Sequence, residues 1–220
     1  MRHRILADLV ASSARPSMKI CDFGCGDGGM IRSMAANLST PVEFFGVDVS
    51  QEGVGNGSLG FEFRQGDLSS REFKVKETFD IAVSSEVLEH VTDPQCALNN
   101  IFAALKPGGL AFLSVPSGPI FSYDRRIGHL RHFLPETLAS MMEKSGFEAV
   151  RVQRFGFPVH TAYKFLAHLL PARSQNQLMA MGRPGLVSRL VLGLAYYLMM
   201  KSVIPWGGLQ IFATARRREA

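Results

Sequence analysis

Two rhythms of hydrophobic and polar positions alternate along most of the chain. Short apolar runs, of the kind that strands buried on both faces produce, are interleaved with stretches whose apolar residues recur every three to four positions. The runs at 19–23, 43–49, 61–65, 79–84, 110–115, 148–155 and 209–215 predict seven strands. Between them, Met30, Ile31, Met34, Ala35 and Leu38 mark one helical face, and Ala97, Leu98, Ile101, Phe102 and Leu105 a second. Asp93 followed by Pro94 reads as an N-cap and a first-turn proline. The sequence Lys106-Pro107-Gly108-Gly109 is expected to stop that helix and turn into the fifth strand. Pro135 opens a further helix with Leu138, Met141 and Met142 inward, and Gly146 closes it. Strands alternating with helices predict an α/β domain around a mostly parallel sheet.

Residues 156–208 break this alternation. They are too many for a hairpin loop, and their apolar, basic composition with helical patterns near 161–170 and 186–201 reads as an inserted helical cap in a single domain spanning 1–220. The charge-free run 190–200 is shorter than the roughly 20 apolar residues that a bilayer span needs. It suits core packing, or an amphipathic helix that covers a substrate cleft or lies on a membrane.

Charge sharpens this picture. The net charge is +5, yet residues 151–220 contain a single acid, Glu219, so the positive charge is concentrated in the tail. That favours an anionic neighbour such as a phosphorylated acceptor or an acidic membrane surface. The tail lacks a recognisable RNA-binding module and its aromatics sit in apolar runs, which argues against nucleic acid. The three cysteines have neither disulfide nor zinc spacing, and the N-terminus lacks a signal-peptide core, so a cytoplasmic location is expected.

The densest chemical signal is Asp22-Phe23-Gly24-Cys25-Gly26-Asp27-Gly28-Gly29, between a strand and a helix. Glycines there permit a tight turn and close approach of backbone to ligand. The G-x-G-x-x-G spelling of Gly24, Gly26 and Gly29, with Asp48 at the end of the next strand, also fits an NAD(P)-dependent oxidoreductase. The acids weigh against that reading. A pyrophosphate requires N–H groups and no carboxylate nearby, whereas Asp22 and Asp27 suit a ligand carrying sulfonium and ammonium groups and no phosphate. Asp27 also fits helix capping, so Asp22 carries more weight. Asp67, after the third strand, adds a further carboxylate at the same sheet edge, where open α/β sheets bind ligands.

With Ile20-Cys21-Asp22-Phe23-Gly24-Cys25-Gly26, Gly46-Val47-Asp48-Val49-Ser50, Gly66-Asp67-Leu68, Phe79-Asp80, Glu86-Val87-Leu88-Glu89-His90-Val91 and Leu105-Lys106-Pro107-Gly108-Gly109 in this order, the chain resembles the class I S-adenosylmethionine (SAM)-dependent methyltransferases over about residues 1–155 and the last strand. It is similar to the branch containing ubiquinone-type O-methyltransferases and small-molecule and sugar methyltransferases. The resemblance implies a Rossmann-like sheet of order 3-2-1-4-5-7-6 with strand seven antiparallel. It also implies SAM as cofactor, S-adenosyl-L-homocysteine as product, and a small-molecule, sugar or lipid-linked acceptor. By the same token the loop with Asp22, Gly24, Cys25 and Gly26 holds the methionine part, Asp48 with Val49 the ribose, Asp67 and Leu68 the adenine, and Ser85 and Glu86 the amino-acid end. The family's helix between strands two and three is expected to be short or missing, because 51–60 carries four glycines.

Transfer from a sulfonium is an in-line displacement in which positioning carries much of the rate, with a base needed for many oxygen acceptors. The stretch 123–133 supplies the candidates His129 and His132, beside Tyr123 and Asp124. Glu86, Glu89 and His90, if helical, share one face and could hold a divalent cation with His129 or His132. The alternative from another class is a SAM-binding scaffold without turnover, its cap serving a partner or membrane.

Overall fold

A computed structural model describes residues 2–51, 60–158, 161, 162, 165 and 207–219. The expected cap at 156–208 and the connection after strand two lie almost wholly outside these residues.

Seven strands form one sheet: β1 (Lys19–Phe23), β2 (Glu43–Asp48), β3 (Glu62–Gln65), β4 (Phe79–Ser85), β5 (Leu105–Pro116), β6 (Phe147–Phe155) and β7 (Gln210–Arg217). Their order is β3-β2-β1-β4-β5-β7-β6, as the resemblance implied. The first five pair in parallel, and β7 runs antiparallel between β5 and β6. Helices α1 (Arg2–Ser13) and α2 (Gly29–Asn37) pack on one face; α3 (Pro94–Ala104) and α5 (Pro135–Lys144) pack on the other, and α4 (Ser122–Arg126) is a short turn of helix after β5.

The period-two alternation of β1 assigns its side chains to these layers. Cys21 and Phe23 join Ala97, Leu98, Ile101, Leu138 and Met142 in the core under α3 and α5. Ile20 joins Leu6, Val10, Met30, Ile31 and Met34 in the core under α1 and α2. Asp22 therefore shares the face of Ile20, below the start of α2, where a hydrophobic residue would otherwise be expected.

Three elements differ from the sequence expectation. Helix α1 was not anticipated, because its apolar stripe is narrow: only Leu6, Ala7 and Val10 are buried. Strand β5 begins at Leu105, so Lys106-Pro107-Gly108-Gly109 already belongs to the strand. Leu105 pairs with Phe79 across a register irregularity, and Gly108 has φ +76°. Glu86, Glu89 and His90 are not helical. Asp93 caps α3 by accepting from the Cys96 N–H at 3.0 Å and Pro94 occupies its first turn, so the helix begins only there.

The family-like Phe79-Asp80 pair serves the sheet rather than the ligand edge. Asp80 accepts from the Lys19 N–H at 2.8 Å, and both its oxygens accept from Lys106 Nζ at 2.8 Å, joining the N-terminal ends of β1, β4 and β5. Asp80→Ala is expected to cost about 1 kcal/mol, since Lys106 is partly exposed. Urea unfolding checks that figure, and ligand affinity at the opposite edge is expected to stay unchanged.

Candidate active site

The C-terminal ends of β1, β2, β3 and β4 meet at one edge and bring most of the predicted ligand-binding residues together. The loop after β1 is anchored from below: the Gly24 and Cys25 N–H groups donate to the Val47 carbonyl at 2.7 and 3.0 Å. Gly24 has φ +83°, and a Cβ there would sit 2.2 Å from Val87 Cγ2, so only glycine fits. At Gly26, φ +50°, a Cβ would meet nothing within 4 Å. The loop thus packs tightly on the protein at Gly24 and opens onto empty space at Gly26. Cys25 is buried, and burial followed by the nearby Asp22 and Asp48 carboxylates pushes its thiol up to about 12, so it is an inert packing residue.

Asp22 is 1% exposed, and neither carboxylate oxygen has a hydrogen-bond partner. Burial, and secondarily the Asp48 carboxylate, lift its carboxyl to about 7. A buried acid held in this way is costly for the fold alone. Asp48 is already engaged: Oδ2 accepts from the Gly26 N–H at 2.8 Å and Oδ1 from the Ser50 N–H at 3.0 Å. It ties the open part of the glycine loop to the end of β2. Val49 beside it is 65% exposed. Asp67 is exposed and accepts from the Ser69 N–H and hydroxyl at 2.8 and 2.7 Å, while Leu68 is buried beneath it. Asp27 turns away, accepting from the Gly29 N–H at 2.9 Å and pairing with Arg32 at 3.0 Å, which is the capping role weighed for it.

At the end of β4 the Ser85 hydroxyl lies 3.0 Å from that of Ser114. Glu86 occupies the left-handed region, φ +59°, unusual for a side chain of this size. Its N–H donates to the Ser114 carbonyl at 2.9 Å. Its Oε1 accepts from Gln210 Nε2 at 2.7 Å, and Oε2 lies 3.4 Å from Arg2 of α1. Gln210 and Arg2 escaped the sequence reading. Gln210, 1% exposed, is the one polar residue in the run Leu209–Ala213, and that break in an apolar strand was the available signal.

Glu89, His90, His129, His132 and Asp124 lie together beside this edge. The His129 N–H donates to the Asp124 carbonyl and the Leu130 N–H to the Glu89 carbonyl, which fold the loop after β5 against the turn after β4. His129 Nδ1 is 3.0 Å from His132 Nε2, and His132 Nδ1 is 3.1 Å from the Gly118 carbonyl. The His90 ring meets His129 edge-on at 4.7 Å. Among the described residues two sets have donor atoms close enough to surround a cation: Glu89, His90 and His129, and Asp124, His129 and His132. Glu86, expected in such a set, is in neither because Gln210 and Arg2 draw it aside. In the second set the His129 and His132 rings already lie within hydrogen-bond distance of one another, Nδ1 to Nε2 at 3.0 Å. A groove of about 460 Å³ is lined by the end of β3 and the segment that follows it, from Arg64 and Gln65 through Gly66, Asp67 and Phe73 to Glu77, and so reaches this edge on its β3 side.

Together, sheet order, glycine loop and acidic edge define the fold of the class I SAM-dependent methyltransferases. Residues 1–159 match the methyltransferase domain family, and the chain belongs to it. Phosphoethanolamine N-methyltransferase 1 of Triticum aestivum is 29% identical over 151 residues, 62% of this chain and 29% of that protein. The ubiquinone biosynthesis O-methyltransferase of Paraburkholderia phymatum is 31% identical over 112 residues, 48% of this chain and 47% of that one. The chain thus matches less than half the length of either relative. Among solved structures, Haemonchus contortus phosphoethanolamine N-methyltransferase 2 in complex with S-adenosyl-L-methionine superposes with TM-score 0.63 at 19% identity, covering 99% of this chain and 53% of that one. The N-methyltransferase NodS of Bradyrhizobium japonicum, in complex with S-adenosyl-L-homocysteine, gives 0.59 at 19% identity, covering 99% and 86%.

Proposed function

We propose that this protein transfers the methyl group of SAM to a small-molecule acceptor through an oxygen or nitrogen atom. The observation that carries the reading is Asp22, a buried carboxyl without a partner beside a loop that opens at Gly26. Its cost to the fold is offset when a cationic group arrives. Asp22 and the loop of Gly24, Cys25 and Gly26 receive the methionine end, with Ser85 and Glu86 beside it. Asp48 and Val49 take the ribose, and Asp67 and Leu68 the adenine. SAM supplies an already activated methyl group. The residues of this chain fix its direction and exclude water, and His129 or His132 accepts the acceptor's proton.

The acceptor is an anionic or lipid-linked small molecule. Phosphoethanolamine and ubiquinone biosynthesis in the names of the relatives support small acceptors of both nucleophile types. The exposed Arg125 and Arg126, close in sequence to His129, and the basic tail support negative charge. No helix among the described residues is long and apolar enough to cross a membrane. Peripheral contact through residues 156–208, in a cytoplasmic protein, fits the same composition.

The test is S-adenosyl-L-homocysteine formation, followed by mass spectrometry, with phosphoethanolamine, a catechol-type quinone precursor and a sugar as acceptors. Acceptor-dependent product is the expected result. SAM binding with no product from any of the three would favour the non-catalytic scaffold.

A further inference from the structure

The connection between β5 and α5 has two sides. Asp124, His129 and Phe133 are buried, and the Leu130 N–H donates to the Glu89 carbonyl at 2.8 Å, so this backbone is pressed onto the ligand edge. Their neighbours in sequence face outward. Ile127, Leu130 and Leu134 are 44%, 53% and 49% exposed, and Arg125 and Arg126 are exposed with them. Phe165, 46% exposed, meets Phe121 edge-on at 5.3 Å and extends the apolar face to the start of α4. Among the described residues six large hydrophobic side chains are exposed, and four of them are gathered at this one place. Single exposed apolar residues are normal on any surface, whereas a cluster of them marks a face that meets something other than water.

We infer that the outer side of this loop docks on a bilayer containing anionic phospholipid. Charge selects that occupant. Arg125 and Arg126 directly precede Ile127, and Glu136 is the one exposed acid in the stretch 121–138. The Arg126 guanidinium lies 5.8 Å from the centre of the Tyr123 ring, a pairing of cation and aromatic body suited to the headgroup level. Lipid phosphates attract the arginines, and the aliphatic side chains enter the boundary between headgroups and acyl chains. Aliphatic residues three and four positions apart on an irregular loop present separate tips, which a fluid layer accommodates and a folded partner would have to match one by one. The purpose of the docking rests on the proposed lipid-linked acceptor, but the docking itself does not. His129 is on the inner side of the same loop, so a bilayer against the outer side brings the headgroup of a membrane-held acceptor to the edge where the methyl group is delivered.

A fluorescent label and a sedimentation assay test the surface. Cys21, Cys25 and Cys96 are buried, so Leu130→Cys carries a polarity-sensitive thiol label at one place. With vesicles of equal parts phosphatidylcholine and phosphatidylglycerol, the emission is expected to shift to the blue and to be quenched by lipids brominated on their acyl chains. Vesicles of phosphatidylcholine alone are expected to give a much weaker response. A label that ignores the anionic vesicles overturns the inference, and an equal response to both vesicles removes the arginines from it. A blue shift that grows with protein concentration in the absence of lipid would assign the face to a second copy of the chain and overturn it too. In co-sedimentation, Ile127→Ser with Leu130→Ser is expected to lower partitioning onto the anionic vesicles about tenfold, with thermal unfolding and SAM binding unchanged. Arg125→Glu with Arg126→Glu is expected to lower it more than about thirtyfold. Equal partitioning of the Ser pair and the unaltered protein would refute the loop as the contact and leave membrane binding to residues 156–208. Docking without methylation of any acceptor would defeat the methyl-transfer reading and keep this surface, and turnover without docking would do the reverse.

Discussion

Asp22→Asn is expected to stabilise the protein at alkaline pH relative to the unaltered chain while weakening SAM binding about tenfold to a hundredfold. The two effects have one cause. Asp22 is buried without a partner, and its carboxyl is lifted from 3.8 to about 7, first by burial and then by Asp48. An acid whose folded pKa exceeds its unfolded value binds more protons folded than unfolded between those two values. Its contribution to stability is therefore full below about 4, falls as pH rises, and levels off above about 7. Asparagine has nearly the shape of the protonated acid and no titration. The stability difference between variant and unaltered protein is thus expected to grow by about 3 kcal/mol from pH 5 to pH 8, the product of two pH units within the window and 1.36 kcal/mol each. Urea unfolding at both pH values measures it, and a constant difference would contradict the account. The loss of affinity follows from removing a charge-assisted contact to a buried cation. The same titration predicts that SAM binding releases a proton below pH 7, because the bound cation favours the carboxylate. Affinity in the unaltered protein should rise from pH 5.5 to 7, and in Asp22→Asn that rise should be lost.

Asp48→Ala is expected to raise the dissociation constant for SAM about a hundredfold and leave the fold intact. Two losses combine. The variant lacks the carboxylate proposed to hold the ribose hydroxyls, with charge-assisted bonds of about 2 kcal/mol. It also frees the Gly26 and Ser50 N–H groups, which Asp48 binds at 2.8 and 3.0 Å. Because Gly26 lies at the open part of the loop, its backbone is solvated when released, and the stability cost is about 1 kcal/mol. Calorimetry and thermal unfolding on one sample separate these terms. Unchanged affinity would remove Asp48 from the ribose contact. Asp48→Asn, which keeps an acceptor for the backbone but loses the charge, should fall between the two.

The sheet was legible because strands buried on both faces announce themselves as apolar runs, and each of the seven appears near its predicted place. The order of the strands came from the resemblance, not from the runs, since nothing local says that β7 inserts between β5 and β6. Asp22 was legible by contrast: a carboxylate within an apolar strand, followed closely by four glycines, has no structural purpose that the sequence can supply. Gln210 was not, because its bond to Glu86 joins residues 124 apart in the chain. The helical reading of Glu86, Glu89 and His90 failed for a physical reason. Spacing of three and four places residues on one face only if the backbone is helical. Here Glu86 takes φ +59° to end β4, and the helix waits for its cap at Asp93. The sequence offered His129 and His132 as alternative bases; that the two rings meet, at 3.0 Å, is known only from the folded chain.

Calorimetric titration of the unaltered protein with SAM and, separately, with NAD examines the acidic edge most directly. The account predicts that SAM binds at one site per chain, with proton release below pH 7, and that NAD gives no binding heat. Binding of NAD at this edge, or no binding of SAM, would contradict it.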